Sequence, residues 1–243
     1  HTHVGMQFTP PSIGDAVARA CETGAERVIG LPVYPLCGPS TTVAALAELA
    51  EAVENAGFEV PVHEVSGWHR HPAYTRLRAD NVAAFAADRG VDLDDPGAAL
   101  VFSAHGTPVR YLEEGSRYVE YVEEYCAAAA ATLGVEGYEL GYQNHANRGI
   151  PWTEPAVEDV IEEVDADRVV VEPVSFMHEQ SETLSELDRD LAEEAEAADL
   201  DFHRVPVPHD DGRVPALLAD LVEPFLAGVD PGYYNLRQCR CRE

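Results

Sequence analysis

The sequence predicts an α/β protein in which strands and helices alternate along the chain and form two parallel sheets around a central cleft. Three observations carry this reading. Short apolar runs such as Ala98–Phe102 and Val169–Val171 show no polar alternation, the pattern of strands buried on both faces. Each is followed by a longer segment of helical periodicity, and Gly or Pro punctuates the junctions. Strand and helix alternating this regularly build right-handed βαβ crossovers, which require parallel strands.

In order, Val4–Phe8 reads as a strand, and Ser12 with Asp15 has capping-box spacing at the start of a helix. Arg27–Leu31 is the next strand. A turn-rich loop, Leu36 to Thr42, leads into an Ala/Leu/Glu helix ending near Asn55, and Val60–Val65 is a third strand. Gly67 to Pro72 precedes another helix, after which Gly90 to Gly97 is a polar connector and the expected domain boundary. The alternation then resumes: strand Ala98–Ala104, helix Tyr111–Leu133, strand Tyr138–Tyr142, helix Glu154–Val164, strand Arg168–Val171, helix Met177–Ala198, strand Phe202–Val205 and helix Val214–Leu226. The expected domains are 1–92 and 93–228, followed by an aperiodic cysteine-containing tail, 229–243.

Composition excludes whole classes of function. Sixteen basic residues, all Arg, face 44 Asp and Glu, giving a formal charge of −28. Nucleic acid and anionic membrane surfaces would be repelled over most of such a surface. The acids are spread over periodic segments and 46% of residues are apolar, so the chain folds. A carboxylate coat of this density suits a salt-rich, halophilic cytoplasm, where ionic strength screens self-repulsion. No apolar run approaches the ~18 residues that span a bilayer, and no leader pattern precedes the fold, so a cytoplasmic protein without stable membrane insertion is expected. Five Cys, an odd number, argue against a disulfide framework.

The chemistry centres on Val101-Phe-Ser-Ala-His-Gly-Thr-Pro108, where a buried strand ends at His105 before Gly106 and Pro108. Ligands of open α/β sheets bind at that strand edge, so this imidazole is a candidate ligand or proton acceptor, although a strand-end His can also be purely structural. In the segment from Met177, residues Glu179, Glu182, Glu186 and Asp190 fall in a line on one helical face, with Leu184, Leu187 and Leu191 on another. They form either a solvated acidic face or a row of oxygen ligands conducting a divalent cation or protons. The loop Tyr142 to Trp152 is dense in polar side chains and ends in an aromatic that walls a flat ligand or fills a gap in the packing.

These segments carry a resemblance. Ser103-Ala-His-Gly-Thr-Pro108, Tyr142-Gln143 through Pro151-Trp152, and Pro173-Val-Ser-Phe176 with Glu182-Thr-Leu-Ser-Glu-Leu-Asp188 resemble the signature segments of ferrochelatases, in the same order. Upstream, Val4 to Pro10, Tyr34-Pro35 with Ser40-Thr-Thr42, and Trp68 to Pro72 are similar as well. The resemblance implies two Rossmann-like, chelatase-type domains and insertion of Fe(II), the substrate metal, into protoporphyrin IX or coproporphyrin III. It implies His105 and Glu182 as catalytic residues, and His105, Glu182, Glu179 and Glu186 as metal ligands. It also implies a porphyrin cleft lined by Tyr34, Thr41, Ser103 and Trp152. The family's first βα unit is missing before His1, Gln180 stands where the family has His, and Gln7 where some members have Arg. The rivals are a sirohydrochlorin or cobalt chelatase and a tetrapyrrole-binding protein without turnover. The chain is expected to be a monomer or homodimer.

Some ferrochelatases hold a 2Fe-2S cluster, and the resemblance makes Cys37, Cys239 and Cys241 three candidate ligands here. A four-thiolate cluster needs a fourth, and Cys21 and Cys126 sit in expected helices where a buried Cys is an ordinary occupant.

Overall fold

A computed structural model describes residues 1–145 and 149–228. The chain divides into two compact units, residues 1–68 with the chain from Leu218 onward, and His69–Leu217. The 90–97 connector thus lies inside the second unit. The reason is packing: the helix before the connector rests on a helix of the strand-rich half.

In the first unit, strands β1 (Val28–Gly30) and β2 (Val62–Glu64) pair in parallel, Val28 opposite Val62. Helix α1 (Ile13–Glu22) packs on α2 (Ala44–Asn55), which is preceded by a short π-helical turn at Pro39–Val43. The capping box at α1 forms as expected. Asp15 N–H donates to Ser12 Oγ at 3.0 Å, and Ser12 N–H donates to Asp15 Oδ2 at 2.8 Å. Val4–Phe8 is not a strand. It makes one isolated bridge, Met6 to Ser12, and Val4, Met6 and Phe8 are exposed, so nothing among the described residues supplies the ladder their alternation calls for.

The second unit is built on a four-stranded parallel sheet, ordered β4 (Glu139–Gln143), β3 (Ala98–His105), β5 (Arg168–Pro173) and β6 (Asp201–Arg204). Its helices are α3 (Pro72–Asp88), α4 (Val109–Glu113), α5 (Tyr118–Leu133), α6 (Val157–Glu163), a π-helix (Glu182–Leu191) continued by α7 (Ala192–Ala197), and α8 (Val214–Leu226), which runs across the unit boundary. The single helix expected over Tyr111–Leu133 is broken at Gly115, whose φ of +98° interrupts it between α4 and α5. The helix expected over Met177–Ala198 begins only near Glu182, and its first ten residues are π-helical.

Strand alternation distributes the faces of this sheet. Val101, Val169 and Val171 pack with Val157, Val160 and Ile161 of α6 and with Leu187 and Leu191 of the π-helix in one buried cluster. Phe102 points the other way, its ring 6.4 Å from Tyr125 of α5. With a period of two, Ser103 and His105 follow Val101 to the π-helix face, while Glu172 follows Val170 to the α3/α5 face. Gly141 in β4 is required by a close approach, since a Cβ there would meet Val157 Cα at 2.5 Å. No helix among the described residues is long and apolar enough to cross a membrane.

Candidate active site

His105 ends β3 and is fixed on several sides. Its backbone N–H donates to Ser175 Oγ at 2.9 Å, and Tyr118 Oη donates to its carbonyl at 2.9 Å while lying 3.1 Å from the same Ser175 hydroxyl. Burial pushes the Tyr118 hydroxyl up to about 12, so it remains a neutral donor. The imidazole stands among three rings: His145 at 5.1 Å, Trp152 at 6.4 Å and Phe176 at 6.4 Å between centroids. His105 Nδ1 lies 2.7 Å from the Gly106 carbonyl. A carbonyl only accepts, so Nδ1 is the donor to it, and in the neutral ring Nε2 is the nitrogen that carries the lone pair. Gly106 itself has no room for a side chain, because a Cβ would overlap Asn144 Oδ1.

Glu182 opens the π-helix and is partly buried. Burial alone would raise its carboxyl, but hydrogen bonds from Ser181 and its own backbone, reinforced by His105 and His145 when these imidazoles are charged, hold it below the ordinary carboxylate value. It is therefore ionised at neutral pH, within electrostatic reach of both imidazoles. Gln143, at the end of β4, locks this helix start: its Nε2 donates to the Glu182 carbonyl at 2.9 Å and to Glu186 Oε2 at 3.3 Å. Ser103, fully buried, donates to Gln143 Oε1 at 3.2 Å, so it braces the site from within the sheet.

The expected row of four carboxylates is rearranged. Glu179 precedes the helix and turns to Arg204, which also grips Asp188. Glu186 and Asp190 continue the line from Glu182 and are joined by Glu194 of α7. These three, with Glu158, Gln143 and Asn144, line a cavity of about 170 Å³. Burial pushes up both the Glu158 carboxyl, further raised by Asp159 and Glu186, and the Glu194 carboxyl, further raised by Glu158, Glu162 and Asp190. No group of three or more His, Cys, Asp or Glu among the described residues is arranged to hold a metal ion, so His105, Glu182, Glu179 and Glu186 are not assembled as one ligand set. His178 is exposed.

Trp152 stands beside His105 and His145, and its Nε1 has no hydrogen-bond partner among the described residues. Tyr34, whose hydroxyl donates to Gln7 Oε1 at 3.1 Å, and Thr41, in the π-helical turn, belong to the first unit, as does the fully buried Cys37. Cys239 and Cys241 lie outside the described residues. Sequence reasoning missed His145, Ser175, Tyr118 and Arg204. His145 left a signal as an imidazole inside a polar strand-end loop, and Ser175 as part of the Pro173-Val-Ser-Phe176 segment.

The family model for ferrochelatase matches residues 1–225. The chain belongs to the ferrochelatase family. A ferrochelatase of Synechococcus sp. (strain RCC307) is 35% identical over 239 residues, covering 94% of this chain and 60% of that protein. One of Geobacter sp. (strain M21) is 30% identical over 228 residues, covering 90% and 69%. The chain thus spans about two thirds of the length of these ferrochelatase relatives. Among solved structures, SirB from Bacillus subtilis with Fe3+ superposes with a TM-score of 0.64 at 12% identity, covering 91% of this chain and 80% of that one. DR2241 from Deinococcus radiodurans, a multi-domain protein with structural similarity to chelatases, gives 0.51 at 19% identity, covering 92% and 45%. These two likenesses concern the α/β fold alone.

Proposed function

We propose that this ferrochelatase-family chain inserts Fe(II) into a carboxylated porphyrin, protoporphyrin IX or coproporphyrin III, in haem biosynthesis in a salt-rich cytoplasm. The observation that carries the reading is a strand-end imidazole held at Nδ1 by the Gly106 carbonyl, within electrostatic reach of an ionised Glu182 and beside an aromatic wall. Insertion replaces two pyrrole N–H protons by one divalent metal, so two protons must leave as the cation enters. His105 Nε2 accepts one proton and the other leaves to water, while Glu182 offsets the charge that develops on the imidazole and holds the cation through oxygen, loosely enough to release it. Glu186, Asp190 and Glu194 form the approach for a partly hydrated cation, and their cavity has room for a few waters. Trp152 packs on the macrocycle.

The test is anaerobic insertion of Fe(II) and Zn(II) at molar salt, followed by absorbance with protoporphyrin IX, coproporphyrin III and sirohydrochlorin in parallel. Turnover with one of the two porphyrins is expected. Turnover with sirohydrochlorin alone would assign the chain to the other chelatase chemistry, and binding without insertion would make it a carrier.

A further inference from the structure

On the opposite face of the sheet lies a fully buried charge pair that the site described above does not use. Arg78 of α3 and Glu172 of β5 are 1% and 0% exposed. Arg78 Nε donates to Glu172 Oε1 at 2.6 Å. Its two terminal nitrogens donate to the carbonyls of Phe176, at 2.8 Å, and Pro173, at 2.7 Å. A buried ion pair is poor grounds for stability, because desolvation consumes most of the attraction and well-packed apolar residues of similar volume commonly do as well or better. The two carbonyls supply a different role. Pro173 is the last residue of β5, and Phe176 stands in the turn leading to the π-helix, so neither carbonyl belongs to a helix. The planar guanidinium fork fixes their separation.

Between and at those two carbonyls lie the residues that hold His105. Ser175 accepts from the His105 backbone N–H and contacts Tyr118, and the Phe176 ring packs 6.4 Å from the imidazole. The same turn delivers the chain to Gln180, Ser181 and Glu182. We infer that Arg78 is a positioning residue, a buried clamp that sets the turn Pro173–Phe176 and through it the placement of His105 and the start of the π-helix. Glu172 is the counter-charge that lets a guanidinium occupy this site. The inference rests on the reading of His105 and Glu182 as the reacting pair.

The decisive variant is the double replacement Arg78→Met with Glu172→Leu, which removes both charges and fills their volume. Unlike Arg78→Met alone, it strands no buried carboxylate and is expected to fold cooperatively, with any fall in denaturation midpoint limited to the two carbonyls that the fork no longer satisfies. Its insertion turnover is expected to fall by ~10- to 100-fold, as for a small misplacement of reacting groups, with KM for the porphyrin within about twofold. Arg78→Lys, which keeps the charge without the fork, should recover stability but not full turnover. Amide hydrogen exchange in peptides covering 103–108 and 174–182 is expected to quicken in the double variant while the rest of the second unit keeps its protection. A double variant that is stable and turns over like the wild type, or whose exchange in those peptides is unchanged, overturns the clamp. Failure of the wild type to insert metal counts against the proposed function instead, and the exchange measurement still decides the clamp.

Discussion

Arg204 Nη1 donates to Glu179 Oε1 at 2.6 Å, and the same guanidinium grips both carboxylate oxygens of Asp188. One side chain at the end of β6 thus ties the turn before the π-helix to its middle, and it takes Glu179 out of the carboxylate row. Replacing Arg204 by Met should cost about 1.5–3 kcal/mol at neutral pH, the range for hydrogen bonds to charged groups, checked by denaturant unfolding at fixed salt.

That cost should depend on pH with a definite sign. Burial raises the Glu179 carboxyl, but Thr183, Arg204 and the Val207 N–H together bring it below its ordinary 4.5. A carboxyl depressed in the folded state adds stability above pH 4.5 and loses it as pH falls through the lowered value. The stability gap between wild type and Arg204→Met should therefore be widest near neutrality and narrow in acid. A gap that widened on acidification would contradict the assignment.

Glu194→Gln should act in the opposite direction. Burial and neighbouring acids raise this carboxyl, so its ionised form opposes folding above its folded pKa and the opposition disappears in acid. The variant should melt higher than the wild type at neutral pH and low salt, with the gain shrinking at molar salt, where the repulsion is screened, and at low pH. Thermal melts over a grid of salt and pH check this.

The alternation of strands and helices was legible because buried strands leave unbroken apolar runs, and His105 was placed by the Gly106 and Pro108 that end one of them. The break between α4 and α5 was written at Gly115 and passed over. What sequence could not show was set by tertiary contact. Met177–Ala198 has one periodicity, but residues 177–180 leave the helix because Arg204 holds Glu179. The bonding pattern of the π-helix leaves no mark in composition. The Val4–Phe8 alternation failed as a strand because no strand among the described residues pairs with it. The 90–97 connector, whose composition looks like a boundary, lies within one compact unit because α3 packs on α5.

Within the site, Glu182→Gln should lower turnover severely while leaving porphyrin affinity nearly unchanged, since on the proposed reading its charge acts on protons and metal in transit. Asp190→Asn, two steps further along the line and lining the cavity, should matter much less to turnover and show mainly as a higher metal concentration at half-maximal rate. Steady-state kinetics with metal and porphyrin varied separately distinguish the two.

The central claim is that His105 Nε2 receives a proton displaced by the entering metal. It is tested most directly by comparing wild type and His105→Ala in anaerobic insertion at molar salt, with porphyrin binding titrated in parallel. The expected result is loss of turnover by ~10²-fold or more, the usual contribution of a positioned general base, with porphyrin affinity within a few-fold. Near-normal turnover by His105→Ala, beside an active wild type, would contradict the assignment of the site.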